Sequence, residues 1–519
     1  MESFTSGETF EKNLRRRLAR SPRSRRRKHS VIAFEMVSLD RTSGEPLHEQ
    51  LYRQIRNELE SGAFSNGLWR LPSSRSLATD LGVSRFTIKL ALEQLRTEGY
   101  LRTSPGSGTF VAELLPNHYL RVERASGKEV ARAAGRIAER VKNLADKRSG
   151  PQLDVGVAGL PGNMLVAGIP AVDEFPLSTW EKLRSKVLAR KGAHLLRYAA
   201  SHGELDLRKA IAAYACDFRG VRCTHEQVVI VSGMQQAMMV AACALVNPGE
   251  AIWIEDPGYR QARNVFGFMG ARPVPRPLDK EGVTLEKEPL RTQPRLIFVT
   301  PTAQFPLGMT MTPERRSQLI SFARKHRAYL MEDDYLSEFW FSRPPLPSLQ
   351  GMDDSGHVIY AGTMSKILYP ALRLGYLIVP EQLIDAVIKT RSVIDLHSSP
   401  VDQATLARFI TEGFFLRHVK RMRNLYFERR EFFIKEFNRL LSDRFRLQIP
   451  EAGLHLIAWW HGKKDWPSVL RALQGCRAKP AALSVFCIEA QLEPGLVFGF
   501  AAWTPAQIRQ ALQECAACF

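Results

Sequence analysis

Short apolar runs of strand length recur along the chain after residue 153, and helix-length segments separate most of them. These runs are Val228–Val231, Ala251–Ile254, Leu296–Val299, Ala328–Met331, Val358–Tyr360 and Gly375–Val379. The alternation is typical of a mostly parallel sheet with helices on both faces. We therefore predict an α/β domain. Ligands of such sheets bind beyond the strand ends, so polar residues at those positions are the first candidates for a site.

A separate module precedes this domain, because 519 residues are more than one ordinary domain contains. Residues 15–28 carry nine Arg or Lys and no acid, which is typical of a solvated tail. A second basic stretch, interrupted by glycines, predicts a tether. We divide the sequence into a basic disordered tail (1–35), an N-terminal domain (36–113), a flexible linker (114–152) and the α/β domain (153–519).

The N-terminal domain has the spacing of helices that are joined by a tight turn. Apolar residues recur every fourth position in the first predicted helix, at Leu47, Leu51, Ile55 and Leu59. Ser73 is a candidate N-cap for a short helix that runs to Leu81, and Ser84 is a candidate N-cap for the next helix. Gly82 between them supplies the sharp turn.

The third predicted helix is followed by a hairpin. Ile88, Leu92 and Leu95 form its expected buried side, and Gly99 ends it. Residues 100–111 have the pattern of strand, tight turn and strand, which predicts a β-wing. The fold expected for this module is therefore an α+β winged helix-turn-helix.

The start of the third helix suits contact with DNA, because Ser84, Arg85 and Thr87 are short polar or cationic groups and Lys89 follows one turn on. Residues 31–113 carry nine basic and ten acidic side chains. The prediction of DNA contact therefore depends on where the charges lie and not on the net charge of the module. We expect four cations to share one face: Arg75, Arg85, Lys89 and Arg102. The alternative is a winged helix that binds only another protein.

Two residues of the α/β domain suit the chemistry of pyridoxal 5'-phosphate (PLP), which needs a lysine for an imine and an acid at its pyridine nitrogen. Lys366 follows the apolar run that ends at Tyr360, and a buried amine with a lowered pKa would suit imine formation. Asp333 follows the run that ends at Met331, where its carboxylate could meet a protonated pyridine nitrogen.

Other residues supply the remaining contacts that PLP needs. Tyr335 could bond the ring hydroxyl, and Thr363 and Arg373 can bind phosphate oxygens. The string Ser232-Gly233-Met234-Gln235 opens a helix after a strand, so its backbone N–H groups form an anion site. Tyr259 is placed to stack on the ring. Each signal is weak by itself, and their order along one α/β chain is the specific observation.

The N-terminal module resembles the winged helix of GntR-type bacterial repressors. The matching strings are Leu71-Pro-Ser-Ser-Arg-x-Leu-Ala, Leu81-Gly-Val-Ser-Arg-x-Thr, Glu98-Gly-Tyr-Leu and Gly106-Ser-Gly-Thr. The resemblance implies that Arg75, Arg85, Thr87 and Lys89 contact double-stranded operator DNA. It also implies that Gly106, at the tip of the wing, approaches the minor groove.

The α/β domain resembles fold-type I PLP aminotransferases, and the whole chain resembles the MocR subfamily of GntR-type regulators. The matching strings are Ser232-Gly-Met-Gln-Gln-Ala, Glu255-Asp-Pro-Gly-Tyr, Gln304-Phe-Pro-Leu-Gly, Glu332-Asp-Asp-Tyr-Leu-Ser-Glu-Phe, Gly362-Thr-Met-Ser-Lys, Leu372-Arg-Leu-Gly-Tyr and Glu451-Ala-Gly-Leu-His. The resemblance implies PLP bound to Lys366 and a homodimer in which Tyr198 reaches the partner's phosphate.

The sequence departs from this resemblance at four places. Met234 stands where a serine is more common, Ala303 where a histidine is usual, and Leu307 where a small polar residue is usual. Residues 478–508 contain no arginine, although aminotransferases usually hold the substrate carboxylate with an arginine there. Because lysine replaces a bidentate arginine poorly, we expect inefficient transamination of amino acids.

The combined observations predict a transcriptional regulator for which PLP, or its adduct with an amine or amino acid, is the effector. Its targets would be genes of vitamin B6 or of amino-acid and amine metabolism. The alternatives are a PLP-dependent aminotransferase with a DNA-binding appendage and a scaffold that has lost its cofactor. We expect a cytoplasmic protein that has no membrane span and no metal site, and whose cysteines are reduced thiols.

Overall fold

The computed structural model of the chain describes residues 37–61, 69–113, 115–116, 136–142, 162–285, 289–341 and 346–518, and the backbone of residues 30–31. Most of the predicted linker and all of the predicted tail except residues 30–31 lie outside these residues. The chain divides into two compact units, Met1–Ala134 and Gly135–Phe519, so the division falls within the predicted linker.

Among its described residues, the first unit has three helices and a small sheet. Its elements are β1 (Ser30–Val31), α1 (Leu47–Glu60), β2 (Trp69–Arg70), α2 (Ser74–Asp80), α3 (Arg85–Thr97), β3 (Leu101–Ser104) and β4 (Gly108–Val111). The sheet order is β1-β2-β4-β3, and β3 and β4 pair antiparallel as a wing. The predicted α+β winged helix-turn-helix is confirmed.

The apolar spacing determines which sides of these helices are buried. Leu51, Ile55 and Leu59 of α1 pack in one cluster with Ile88 and Leu95 of α3. Two details differ from the predicted pattern. Leu47, the first residue of the apolar stripe in α1, is only half-buried. In α3, Ala91 is completely buried, while the larger Leu92 is half-buried.

The second unit contains a large sheet, a small sheet and the helices that cover them. Its helices are α4 (Glu139–Lys142), α5 (Leu177–Lys191), α6 (Leu205–Arg219), α7 (Met234–Leu245), α8 (Arg260–Phe268), α9 (Pro313–His326), α10 (Leu349–Met352), α11 (Ile384–Ile394), α12 (Pro400–Thr411), α13 (Phe414–Leu441), α14 (Trp466–Gln474) and α15 (Pro505–Cys518). Its strands are β5 (Val228–Val231), β6 (Ala251–Asp256), β7 (Arg272–Asp279), β8 (Gly282–Val283), β9 (Pro294–Val299), β10 (Tyr329–Asp334), β11 (Val358–Thr363), β12 (Gly375–Ile378), β13 (Phe445–Gln448), β14 (His455–Trp460), β15 (Ala481–Ala482) and β16 (Gly495–Gly499).

The large sheet has the order β5-β12-β11-β10-β9-β6-β7-β8, and most neighbouring pairs are parallel. The strand β12 runs antiparallel to both of its neighbours, β11 and β5. This confirms the predicted α/β architecture with a mostly parallel sheet. Several strands extend beyond the predicted runs, and β10 continues to Asp334, so Asp333 lies within the strand and not after it.

The small sheet, with the order β13-β14-β16-β15, is antiparallel, and it packs with the long helix α13 and the final helix α15. The structure brings Cys476 and Cys518 into contact, with Cα atoms 7.7 Å apart, which is farther than a disulfide normally spans, so the reduced state of the cysteines stays a prediction.

In the part of the chain that the structure describes, no helix combines the length and the apolar character that crossing a membrane requires. The same residues contain no group of three or more His, Cys, Asp or Glu side chains that could hold a metal ion.

Candidate functional site

Lys366 lies three residues beyond the end of β11, below a loop that contains Gly168. Its Nζ donates a hydrogen bond of 2.7 Å to the Gly168 carbonyl oxygen. A Cβ placed on Gly168 would lie 3.2 Å from Nζ, so the loop follows the lysine closely. Burial lowers the pKa of Lys366 to about 8, against the opposing effect of the Asp333 charge. The amine is therefore neutral far more often near pH 7 than an ordinary lysine, as imine formation requires.

Asp333 is buried near the carboxyl end of β10, and within the described residues its Oδ1 has no hydrogen-bond partner. Burial raises the pKa of this carboxyl, as do the charges of Asp334 and Glu255, while Lys366 acts in the opposite direction. Buried acceptors rarely go without a partner. An N–H group on a bound ring would satisfy this oxygen. Asp333 therefore fits the role predicted from its position, which is to meet a protonated pyridine nitrogen.

Gly233 and Arg373 form one side of an anion cradle at the start of α7. Gly233 has φ +93°, and a Cβ on it would lie 3.3 Å from Nη1 of Arg373, so the absence of a side chain lets the guanidinium approach the backbone. Gly375 is equally constrained, since a Cβ there would lie 3.0 Å from the Gly233 Cα. The cradle thus combines a helix N-terminus with a cation, which is the environment a phosphate prefers.

The other predicted phosphate residues contribute in different ways. Thr363 Oγ1 accepts a hydrogen bond of 3.2 Å from the Ser365 backbone N–H. The Ser365 hydroxyl, which we did not predict, is buried and has no partner within the described residues. Met234 packs its side chain into the core beside α7, so only its backbone N–H is available to an anion. Gln235 is exposed in the first turn of the helix.

Several aromatic side chains cluster around Phe305, and one of them, His455, feels the charge of Lys366. The ring centroid of Phe305 lies 6.1 Å from Tyr259, 6.3 Å from Tyr335, 5.4 Å from His455 and 5.0 Å from Phe486, each nearly edge to face. Burial raises the pKa of Tyr259, as does the charge of Asp333, while Arg373 acts in the opposite direction. The Tyr335 hydroxyl donates to the Ala303 carbonyl at 2.9 Å and keeps its lone pairs for a ligand.

Glu255 and Asp256 hold the Tyr259 segment in place. The Glu255 carboxylate accepts hydrogen bonds from Thr300 Oγ1 at 2.6 Å and from Gln304, and burial raises its pKa to about 7. Asp256 accepts from three successive backbone N–H groups at 2.7–2.8 Å, those of residues 488, 489 and 490. We missed these two positioning residues, although the string Glu255-Asp-Pro-Gly-Tyr that we quoted for Tyr259 contains both.

Tyr198 lies outside this pocket. It is 89% exposed, and its ring meets only the edge of His397, with centroids 6.1 Å apart, among the ring pairs of the described residues. Two other large apolar side chains of the same domain, Leu196 and Val393, are 76% and 86% exposed. The role of Tyr198 toward a partner's phosphate stays a prediction.

The predicted DNA face is exposed and positively charged. Arg75, Arg85 and Lys89 are exposed, and none of them forms an ion pair with another described residue. Ser84 caps α3, because its Oγ accepts from the Thr87 backbone N–H at 3.0 Å, and its hydroxyl also lies 2.9 Å from that of Thr87. Both predicted N-caps, Ser73 and Ser84, are confirmed.

The wing and the recognition helix present two further features. Gly106 lies in the turn between β3 and β4 with φ +75°, and open space surrounds the position of a Cβ. Phe86, between two of the predicted contact residues, is 67% exposed. Apolar groups of this kind can contact thymine methyl groups, and we did not single it out from the sequence.

Comparison with known protein families assigns both units. Residues 47–111 match the family described as bacterial regulatory proteins, gntR family, and residues 164–513 match aminotransferase class I and II. The probable rhizopine catabolism regulatory protein MocR of Rhizobium meliloti is 37% identical over 485 residues, which cover 93% of this chain and 96% of that protein. The HTH-type pyridoxine biosynthesis transcriptional regulator PdxR of Corynebacterium glutamicum is 28% identical and covers 93% and 98%.

Solved structures agree with the assignment of the large unit. The multiple substrate aminotransferase from Thermococcus profundus superimposes with a TM-score of 0.64 at 25% identity, over 74% of this chain and 95% of that one. The molecule is therefore a transcriptional regulator in which a GntR winged helix precedes a fold-type I aminotransferase-like domain. It belongs to the MocR subfamily of GntR-type regulators. Regulators of the GntR class bind DNA operators, and the aminotransferase class I and II family depends on PLP.

Proposed function

We propose that this regulator holds PLP through Lys366 and that PLP, or its adduct with an amine, controls how the winged helix binds its operator. The observation that carries the proposal is the pair of the half-buried Lys366 and the buried Asp333. A lysine of lowered pKa and an unpartnered carboxylate oxygen share one pocket, and each influences the pKa of the other. Perturbed, buried ionisable groups of this kind mark functional sites.

The chain's own residues would divide the binding of the cofactor among them. Asp333 accepts a hydrogen bond from the ring nitrogen, and Tyr259 stacks on the ring. Arg373, together with Thr363 and the backbone N–H groups of residues 233–235, binds the phosphate. When bound, PLP supplies an aldehyde that captures amines reversibly. Tyr335 and Asp333 then orient the ring, and the Phe305 cluster excludes water from the captured amine.

Control of transcription would follow from two identical chains acting on a paired operator. We propose a homodimer in which Tyr198 reaches the partner's phosphate site, which makes the pocket dependent on the arrangement of the two chains. A ligand changes operator binding only if it has different affinities for two such arrangements. The names of the relatives, rhizopine catabolism and pyridoxine biosynthesis, support a role in vitamin B6 or in amino-acid and amine metabolism, within the cytoplasm.

An absorbance spectrum of the purified full-length protein tests the proposal. The PLP-loaded protein should show an imine band that borohydride removes, and the reduced adduct should map to the peptide that contains Lys366. Lys366→Ala should abolish the band, while Lys389→Ala, a change on the surface of α11, should leave it intact. Folded protein that remains colourless after incubation with PLP and removal of the unbound cofactor would refute the assignment. Operator affinity that is identical with and without PLP would refute the effector role.

A further inference from the structure

The recognition helix α3 begins with an exposed aromatic side chain. Phe86, the second residue of the helix, is 67% exposed. The residues that α3 buries are Ile88, Ala91 and Leu95. Because successive residues of a helix are about 100° apart, Phe86 lies roughly 200° around the helix axis from Ile88, on the side away from the core. Phenylalanine is also a poorer helix former than alanine or lysine. Neither core packing nor helix propensity therefore explains an aromatic residue at this position.

Cations lie beside Phe86 on the surface of the module. Lys89 follows Arg85 by four residues and Phe86 by three, so it is a neighbour of both on the helix surface. Both cations are exposed, and neither forms an ion pair with another described residue. Among the described residues, the ring of Phe86 contacts no other aromatic ring and no cation. The ring is thus a free apolar surface within a positively charged face, and double-stranded DNA has the complementary charge.

The two hydroxyl groups of the first turn already bond to each other. Ser84 Oγ accepts from the Thr87 backbone N–H at 3.0 Å, and the two hydroxyl oxygens lie 2.9 Å apart. Arg85 and Phe86 are therefore the free side chains at the end of the helix that enters the major groove in helix-turn-helix proteins. A guanidinium can donate hydrogen bonds to base edges, but a phenyl ring cannot. Thymine is the base that presents an apolar group, its C5 methyl, in that groove.

We propose that Phe86 contacts the C5 methyl group of a thymine in the major groove of the operator and so determines part of the sequence specificity of this regulator. The ring and the methyl group are both removed from water by the contact, which favours thymine over a base that lacks the methyl group. The cations beside the ring can attract the phosphates of any sequence, whereas the ring distinguishes one base pair from the others. The proposal rests on operator binding alone, and not on the effector role of PLP.

Removal of single methyl groups from the DNA tests this proposal. The full-length protein, at one fixed concentration of PLP, first selects its preferred site from a library of random DNA duplexes. Each thymine of the selected site is then replaced in turn by deoxyuridine, which lacks only the C5 methyl group. At least one replacement should weaken binding by the wild type about fourfold, the effect expected for one buried methyl group. Phe86→Ala should bind the all-thymine site at least about fourfold more weakly than the wild type, and the same replacement should then change its affinity by less than about twofold.

Leu90→Ala is the matched control for this test. Leu90 is also apolar and 38% exposed on α3, but it lies one turn farther from the end of the helix that enters the groove. This variant should keep the wild-type response to deoxyuridine. Phe86→Ala should keep the wild-type melting temperature, because the side chain it removes is exposed. The proposal is wrong if no replacement affects the wild type, if Phe86→Ala keeps the wild-type response, or if Leu90→Ala loses that response equally. A protein that selects no DNA sequence would refute the operator binding that the proposed function also requires.

Discussion

The two functional regions of this chain place their cations in opposite environments. On α3 the cations are exposed and come from one short segment, and a serine hydroxyl that lies one residue before the helix caps it. In the large domain Lys366 is half-buried, and its hydrogen bond to Gly168 joins residues that are 198 positions apart in sequence. Exposed charges act at a distance and are screened by salt, whereas a buried amine acts through its lowered pKa.

This difference has a consequence for how each site fails. A cation on the surface can be removed without disturbing its neighbours, so its loss should affect DNA binding alone. Lys366 depends on the Gly168 loop, which accepts its hydrogen bond, and on Asp333 of β10, which affects its pKa. Changes at any of these places should alter the chemistry of the pocket, even where the substituted residue never touches a ligand.

The largest effect expected, beyond loss of the lysine itself, is that of Asp333→Asn. The amide keeps the shape but cannot carry the charge that a protonated ring nitrogen requires, so PLP affinity should fall by at least about tenfold. Ligand-free protein should be no less stable than the wild type, because the change removes an unpartnered buried carboxylate. Asp385→Asn, at an exposed position of α11, is the control. PLP affinity that the change leaves intact would remove Asp333 from the site.

The second prediction concerns Arg85→Ala on the exposed region. Operator affinity should fall by about tenfold or more, and the salt dependence of binding should become shallower if the guanidinium contacts phosphate. The absorbance of bound PLP should not change. Arg96→Ala is a matched control on the same helix, because Arg96 is exposed but pairs with Glu93 at 3.0 Å. Equal losses in the two variants would show that net charge, and not this position, determines binding.

The exposed region is also the one that the sequence predicts more completely. Its N-caps, its turn glycine and its apolar stripe are local signals, and the structure confirms them except that Leu47 and Leu92 are only half-buried. In the large domain the strands rich in Val, Ile and Leu were predictable, and so was the lysine after β11. The strand β7 was not predicted, because Pro273, Pro275 and Pro277 suppress the usual strand signal, and the hydrogen-bonding pattern near a sheet edge tolerates them.

The supporting residues of the pocket were the hardest to predict. Glu255, Asp256 and Phe305 each lie in strings that the sequence analysis quoted, but their roles depend on partners far along the chain. Asp256, for example, meets the backbone of residues 488–490, which no periodicity links to it. The small antiparallel sheet was also hard to predict, since β13 to β16 are short and most of the segments between them are long. Non-local contacts of this kind leave no period in the sequence.

A third prediction tests the buried region through pH. The pKa of Glu255 is about 7 in the folded chain and is raised mainly by burial, so the folded state holds a proton that the unfolded state has released. The stability this gives is complete below the ordinary pKa of a glutamate and is lost as pH rises toward 7. The loss is on the order of 3 kcal/mol. In chemical unfolding between pH 4.5 and 8, Glu255→Gln should lose less stability with rising pH than the wild type. Parallel pH profiles would show that the carboxylate is already ionised in the folded state.

The smallest effect is expected at Ser84, where the exposed region depends on a single hydroxyl. Ser84→Ala removes the acceptor of the Thr87 N–H, which should destabilise the start of α3 by about 1 kcal/mol. Hydrogen exchange of the peptide that spans 84–97 should then be about fivefold faster, while peptides from the Lys366 pocket exchange as before. Ser84→Thr keeps an oxygen at the cap and should restore slow exchange. Faster exchange in the pocket as well would show that the two regions are coupled in the free protein. The exposed site would then be encoded by local sequence signals, although its stability would depend on the large domain.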